Sequence, residues 1–347
     1  MLEGERLTLE REAPATAILR DIGELTGNRL ELDARNHDEP VHFDCRDELF
    51  WQCLDRLVQR ADLDWSLTRD GRCVTVGESR RRGVSDENGS RVAYSGPFRV
   101  EIRELKTRPN LVDPQGAPLL RAAFHLVAEP RLRPLYVTIA EEKFAGRRGT
   151  LEVIPWNRTA VREIPFVAGE VTVPVDLQVP GEAGSPESDE GTPLELHGRF
   201  RVRVIADVVP LRFTLESGSR AVRRRAGPTT VTLEEWIAPR GGSTDGLRVR
   251  VGIDFGVAGP ELESHRIGGL HQDVFLVTTN GERIFPTRQD LLRAVGTHHE
   301  VEFAFPVEVL EDGTQFVYEA PLLVSDVDVP CQWESLRLDA VSKATVR

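Results

Sequence analysis

Along the first eighty residues the apolar positions switch between two periods, and the switch predicts an ordered series of elements. Arg6 to Glu10 alternates as a short strand. Pro14 suits a first helical turn, and Ile18, Ile22 and Leu25 share a face with Leu19 beside them, which predicts a helix from Pro14 to Thr26 stopped by Gly27-Asn28. Leu30 to Leu32 and Val41 to Phe43 alternate as strands on either side of a turn at His37 to Pro40. Asp47 can cap a second helix through Arg60, with Leu49, Phe50, Cys53, Leu54 and Leu57 at three-and-four spacing. Asp64 to Thr68 and Cys73 to Val76 then form a hairpin about Asp70-Gly71.

The text changes after this point. Ser79 to Gly96 is polar and rich in turn formers, with Arg80-Arg81-Arg82 inside it, and reads as a linker. Beyond it strands dominate: Phe98 to Ile102, Val171 to Val179, Phe200 to Val204, Val231 to Trp236, Leu247 to Ile253 and Val301 to Phe305 all alternate apolar with polar. Many short strands between Gly and Pro turns predict sandwiches. Arg288 to Val295 is the one helical candidate there, and Gly181 to Pro193 reads as a mobile acidic loop. A break is expected at Ser217 to Pro228, where Arg223-Arg224-Arg225 interrupts the strands. Related phrases, Val209 to Phe213 and Val329 to Trp333, close the two halves and suggest a duplication. The expected fold is therefore multidomain α+β: a βαββαββ module over residues 1–78, a linker over 79–96, and mostly antiparallel, Ig-like β-sandwich domains over 97–218 and 228–347. One large split sandwich is the alternative.

The first quarter of the chain resembles the short N-terminal module of secretins and TonB-dependent transducers, the STN or N0 domain. The resemblance is carried by Leu7 to Glu10, Ala17 to Asn28, Leu30 to Asp33, Val41 to Asp44, Phe50 to Val58, Leu63 to Leu67 and Val74 to Val76. It is one of pattern, without a catalytic signature, and it implies a module that binds other proteins in a periplasm or cell envelope. Neither a secretin ring domain nor a membrane barrel is read after it, so secretion and siderophore signalling are not implied.

Composition narrows the functional classes. At 347 residues, 40% hydrophobic and 29% charged, the chain has material for two or three folded domains. With Lys+Arg 44 against Asp+Glu 56, its net charge of -12 argues against a general nucleic-acid binder and against docking on acidic membranes. No stretch approaches the roughly 20 apolar residues of a membrane span. Met1 to Arg11 lacks the apolar core of a signal peptide, so the text as it stands reads as cytoplasmic or as begun inside a longer one, the latter favoured because strand-like sequence starts at Arg6. Cys45, Cys53, Cys73 and Cys331 make no CxxC pair and have no histidine at finger spacing, which sets a structural zinc aside. Three of them allow one disulfide, although Cys53 on an apolar helical face reads as a buried free thiol.

Candidate chemistry is sparse. His298 and Glu300 would point to one face of a strand and could give a metal two ligands, with His271 and Asp273 nearest in sequence for a third. The plainer reading, a solvated turn and strand edge, is preferred, and no metal or other cofactor is expected. Carboxylate pairs drawn from Glu234, Glu235, Glu261 and Asp254 carry no information in so acidic a chain. No GxSxG elbow, Walker loop or dinucleotide fingerprint is present. Trp156 and Trp236 are ligand-binding candidates because exposed tryptophans on sandwiches can stack on sugars, whereas Trp333 reads as buried. The functional expectation is a non-catalytic envelope scaffold that takes a protein partner through its N-terminal module, with a carbohydrate-binding protein and then a metal-dependent hydrolase as alternatives. The module is also expected to fold by itself.

Overall fold

The computed structural model describes residues 4–33, 39–78, 91–113, 117–179, 192–216, 221–238, 246–255 and 273–339. It begins with β1 (Arg6–Pro14), α1 (Ala15–Thr26), β2 (Leu30–Asp33), β3 (Pro40–Leu49), α2 (Phe50–Arg60), β4 (Leu63–Leu67) and β5 (Val74–Glu78). Pro14 precedes α1, and Gly27 ends it in the left-handed conformation at φ 69°, which glycine adopts without a Cβ penalty. Ile18, Leu19 and Ile22 are buried, but Leu25, placed by spacing on the same face, is 54% exposed. Asp47 does not cap α2. It lies within β3 at φ 54°, where its carbonyl and carboxylate accept from Arg6, and the helix starts after Leu49, whose N–H donates to Gln52 Oε1 at 2.9 Å.

β1 and β3 form an antiparallel ribbon, and β2, β5 and β4 form a mixed three-stranded sheet in that order. The buried faces of α1 and α2 meet Phe43, Cys45, Val74 and Val76 in one core. Trp51 lies at its centre, its ring 4.9 Å from Phe50 and 4.7 Å from Trp65. That core also includes Val127 and touches Tyr94, both contributed by strands beyond the module.

Those strands begin with β6 (Val92–Ser95), so the end of the expected linker is a strand; residues 79–90 lie outside the described residues. There follow β7 (Phe98–Arg108), β8 (Leu119–Ala128), β9 (Arg133–Ala140), β10 (Ala145–Arg148), β11 (Leu151–Pro155), β12 (Val161–Pro165), β13 (Glu170–Gln178) and β14 (Leu194–Thr214). Most of the acidic segment expected as a loop, residues 181–191, is likewise outside the described residues. Next come β15 (Val222–Ala226), β16 (Thr229–Ile237), β17 (Leu247–Asp254), β18 (Val274–Val277), β19 (Arg283–Ile284), β20 (Arg288–Val295), β21 (His298–Phe305) and β22 (Gln315–Leu336). Two expectations are corrected here. Arg288 to Val295 is an edge strand on β21 and not a helix, and Arg223 to Arg225 fill β15 and do not break the strands. In both, partner strands decide the backbone that local spacing left open.

Internal contacts divide the chain into Met1–Arg203 with Asp326–Arg347, and Val204–Ser325. This division differs from the boundaries read in the sequence: it cuts through β14 and β22, and it groups the N-terminal module with the strands that follow. In the first unit β14, β10, β11, β13, β8, β7 and β6 follow one another across an antiparallel array, with β9 between β12 and β14. Phe124 is central to its core, with ring centroids 5.5 Å from Phe144 and Phe200 and 5.0 Å from Trp333. In the second unit β15, β16, β17, β21 and β20 form a five-stranded antiparallel sheet, and Phe303 and Phe305 from it meet Phe316 of β22 at 6.0 and 6.3 Å.

Candidate functional site

The densest polar constellation lies where the N-terminal module meets β6 and β7. Asp55 projects from α2 beside its apolar face and accepts three bonds: from Trp65 Nε1 at 2.7 Å, Tyr94 Oη at 2.6 Å and Arg99 Nε at 2.8 Å. Arg99 also donates to Glu101 at 2.8 Å, and its guanidinium lies over the Trp65 ring, 5.3 Å from the centroid. Burial opposes the Arg99 charge, yet Asp55 and Glu101 outweigh it and lift its pKa above the ordinary arginine value. Burial likewise opposes ionisation of Glu101, but Arg99 holds its carboxyl below the usual range. The Tyr94 hydroxyl is raised by burial and then by Asp55, so it stays a donor.

A second contact pins the turn after α1. Asn28 Nδ2 donates to Glu129 Oε2 at 3.0 Å, and Asn28 Oδ1 accepts from the Arg131 N–H at 3.1 Å. Glu129 is 1% exposed and pairs with Arg131, but burial dominates and raises its carboxyl pKa. The hairpin between β4 and β5 makes a third contact. A Cβ added at Gly71, which sits at φ +71°, would fall 2.2 Å from the Ala168 carbonyl carbon, so only glycine allows this approach. Together these contacts fix the module on β6, β7 and the ends of β8 and β13. Within the module, the outer edges of β2 and β4 and the edges of the β1–β3 ribbon have no partner strand among the described residues. Beside the seam runs a groove of about 870 Å³, lined by Gln52, Tyr94, Lys143, His197, Arg199 and Gln332 among others.

The residues nominated from sequence are scattered. Trp156 follows β11 and is 37% exposed. Trp236 belongs to the other compact unit, is half-buried in β16 and directs Nε1 to the Glu216 carbonyl at 3.4 Å. Trp333 is 2% exposed within the Phe124 cluster. His298 and Glu300 do share a face of β21, with Nε2 3.9 Å from Oε1, but β21 lies between β17 and β20 and is not a strand edge. His299 between them is fully buried against Phe255, so the solvated-turn reading fails for it. Asp273 precedes β18, and His271 lies outside the described residues. Among the described residues no three His, Cys, Asp or Glu side chains gather to hold a metal ion. Glu235 pairs with Arg250 at 3.3 Å and Asp254 accepts from Thr297 at 3.4 Å, while Glu261 lies outside the described residues.

Asp55, Asn28 and Glu129 escaped the sequence reading because their partners are remote. Asp55 and Arg99 are 44 positions apart, Asn28 and Glu129 101. The available signal was an acidic residue beside the apolar stripe of an amphipathic helix. No helix of the described residues is long and apolar enough to cross a membrane. Compared with protein-family models, with curated proteins and with solved structures, the chain shows no match.

Proposed function

We propose that this chain is a non-catalytic, partner-binding scaffold of a cell envelope. Its STN-like N-terminal module supplies the protein-docking surface, and Ig-like β-sandwich regions carry it. The single observation behind this reading is the seam: Asp55, Asn28 and Gly71 fasten the module at three contacts, while the edges of β2 and of the β1–β3 ribbon carry no partner strand among the described residues. A fixed module with open edges suits addition of a strand from another protein, since its backbone donors and acceptors are held ready. Envelope localisation rests on the family resemblance.

A photo-crosslinking residue placed at Glu10 on β1 or at Glu31 on β2, both exposed, tests the reading in the full chain expressed in its own cells. Discrete crosslinked products from these positions are expected. Products from exposed Glu152 on β11 alone would overturn it. The second reading, polysaccharide binding, rests on the exposure of Trp156 and would be favoured by glycan binding that Trp156→Ala abolishes. A metal-dependent hydrolase would instead require stoichiometric zinc that His298→Ala removes.

A further inference from the structure

Arg223, Arg224 and Arg225 form the middle of β15, the terminal strand of the five-stranded sheet, with β16 on one side and no described strand on the other. All three side chains are exposed. Arg224 lies over the Phe213 ring at 5.7 Å and Arg225 Nε donates to the Gly227 carbonyl at 2.9 Å, and among the described residues none of the three meets a carboxylate. In a chain of net charge -12, three such cations on one edge form a local positive field that no carboxylate among the described residues pairs with.

The ladder orients this edge. A two-residue turn, Gly227-Pro228 with Gly227 at φ 55°, closes the β15–β16 hairpin at the pair Ala226 and Thr229. A closing pair of this kind is hydrogen-bonded, and bonded and non-bonded pairs alternate from it. Arg223 opposite Thr232 and Arg225 opposite Thr230 are therefore non-bonded pairs, whose own N–H and C=O groups face the open side. Their side chains share one face of the sheet. Arg224 lies on the other face with Val231, which is fully buried.

We propose that the open edge of β15 docks an acidic, extended segment of another protein, whose backbone pairs with Arg223 and Arg225 while carboxylates at alternate positions sit on their guanidinium groups. The charge selects acidic residues, the backbone edge that faces no described strand selects an extended chain, and the alternation selects Glu-x-Glu with an apolar x on the Arg224 and Val231 face. This surface lies outside the N-terminal module, so it stands or falls independently of the function proposed above.

The test is a fluorescence-anisotropy titration of the full chain with a labelled Glu-Val-Glu-Val-Glu-Val peptide. Saturable binding is expected, weakened roughly tenfold or more by Arg223→Glu/Arg225→Glu and less by the milder Arg223→Gln/Arg225→Gln. Circular dichroism melting establishes that each variant is folded, and the milder pair decides the matter if the charge reversal unfolds the protein. A peptide of the same sequence N-methylated at alternate amides, which keeps the charge but cannot pair with an edge, is expected not to bind. No binding to the wild type, binding unchanged in the folded variants, or equal binding of the N-methylated peptide and of heparin would overturn the proposal.

Discussion

Arg99 Nε and Asp55 Oδ2 lie 2.8 Å apart, a bond between the sheet and the second helix of the N-terminal module that joins positions 44 residues apart. Both side chains are largely buried, and two further donors, Trp65 and Tyr94, converge on the same carboxylate. Such a node is costly to break because its members are partly or largely buried and lose a charge-assisted bond that water replaces only in part. The module is thereby part of the first compact unit and not a freely tethered appendage.

Asp55→Ala should lower the stability of the full chain by about 2–4 kcal/mol, since it removes one of the two carboxylates that pair with the buried Arg99 guanidinium and leaves the Trp65 and Tyr94 donors without their acceptor. Tyr94→Phe, which removes one neutral donor to the carboxylate, should cost about 1–2 kcal/mol. Urea unfolding followed by tryptophan fluorescence checks both; Trp51 and Trp65 lie within the module's core or against it. Equal stabilities of wild type and Asp55→Ala would remove the node from the account.

Glu129 gives a pH signature. Burial raises its pKa in the folded chain above the ordinary 4.5, so between that value and the raised one the folded state holds a proton that the unfolded state has released. The contribution is complete below about 4.5 and is lost as pH rises through the folded value. Glu129→Gln, which cannot ionise, should therefore gain stability relative to wild type as pH rises from 4 to 8. Denaturation midpoints measured across that range check the sign.

His299 should behave in the opposite way. Among the described residues neither ring nitrogen has a hydrogen-bond partner, and burial, with His298 adding to it, lowers its pKa below the ordinary 6.5. Stability is complete above about 6.5 and falls as pH drops toward the folded value, because only the unfolded chain then takes up the proton. His299→Leu should abolish this acid sensitivity and, by removing unsatisfied polar atoms, stabilise the protein at neutral pH by about 1 kcal/mol. Parallel thermal melts at pH 5.5 and 7.5 measure both effects.

What was legible in the sequence follows physical lines. Helices α1 and α2 were visible because Ile18, Ile22, Leu54 and Leu57 repeat at helical spacing and bury one face, and the Asp70-Gly71 hairpin because its turn needs the positive φ that Gly71 supplies. The segment Arg288 to Val295 misled because Leu291, Leu292 and Val295 also sit at near-helical spacing. All three are exposed, so nothing local fixes their backbone and pairing with β21 decides it. The Arg223 to Arg225 strand was missed for the same reason. The Asp55–Arg99 and Asn28–Glu129 contacts are properties of tertiary approach, joining positions 44 and 101 residues apart that no local spacing encodes.

The cysteines supply a chemical prediction. Cys45, Cys53, Cys73 and Cys331 are all buried free thiols, and burial pushes Cys73 to about 11 and Cys331 to about 12. Thiolate is the reactive form, so the native protein should titrate with almost no Ellman's reagent at pH 8 and release four equivalents once denatured. Two equivalents in the denatured, unreduced protein would reveal a disulfide instead.

Side chains, and not merely the covalent connection, hold the module to the sheet. A protease site introduced between residues 79 and 90, followed by complete cleavage and size-exclusion chromatography, tests it most directly. The two fragments of the wild type are expected to elute together and melt in one transition, and Asp55→Ala is expected to loosen them. Separation of the cleaved wild-type fragments under native conditions would contradict it.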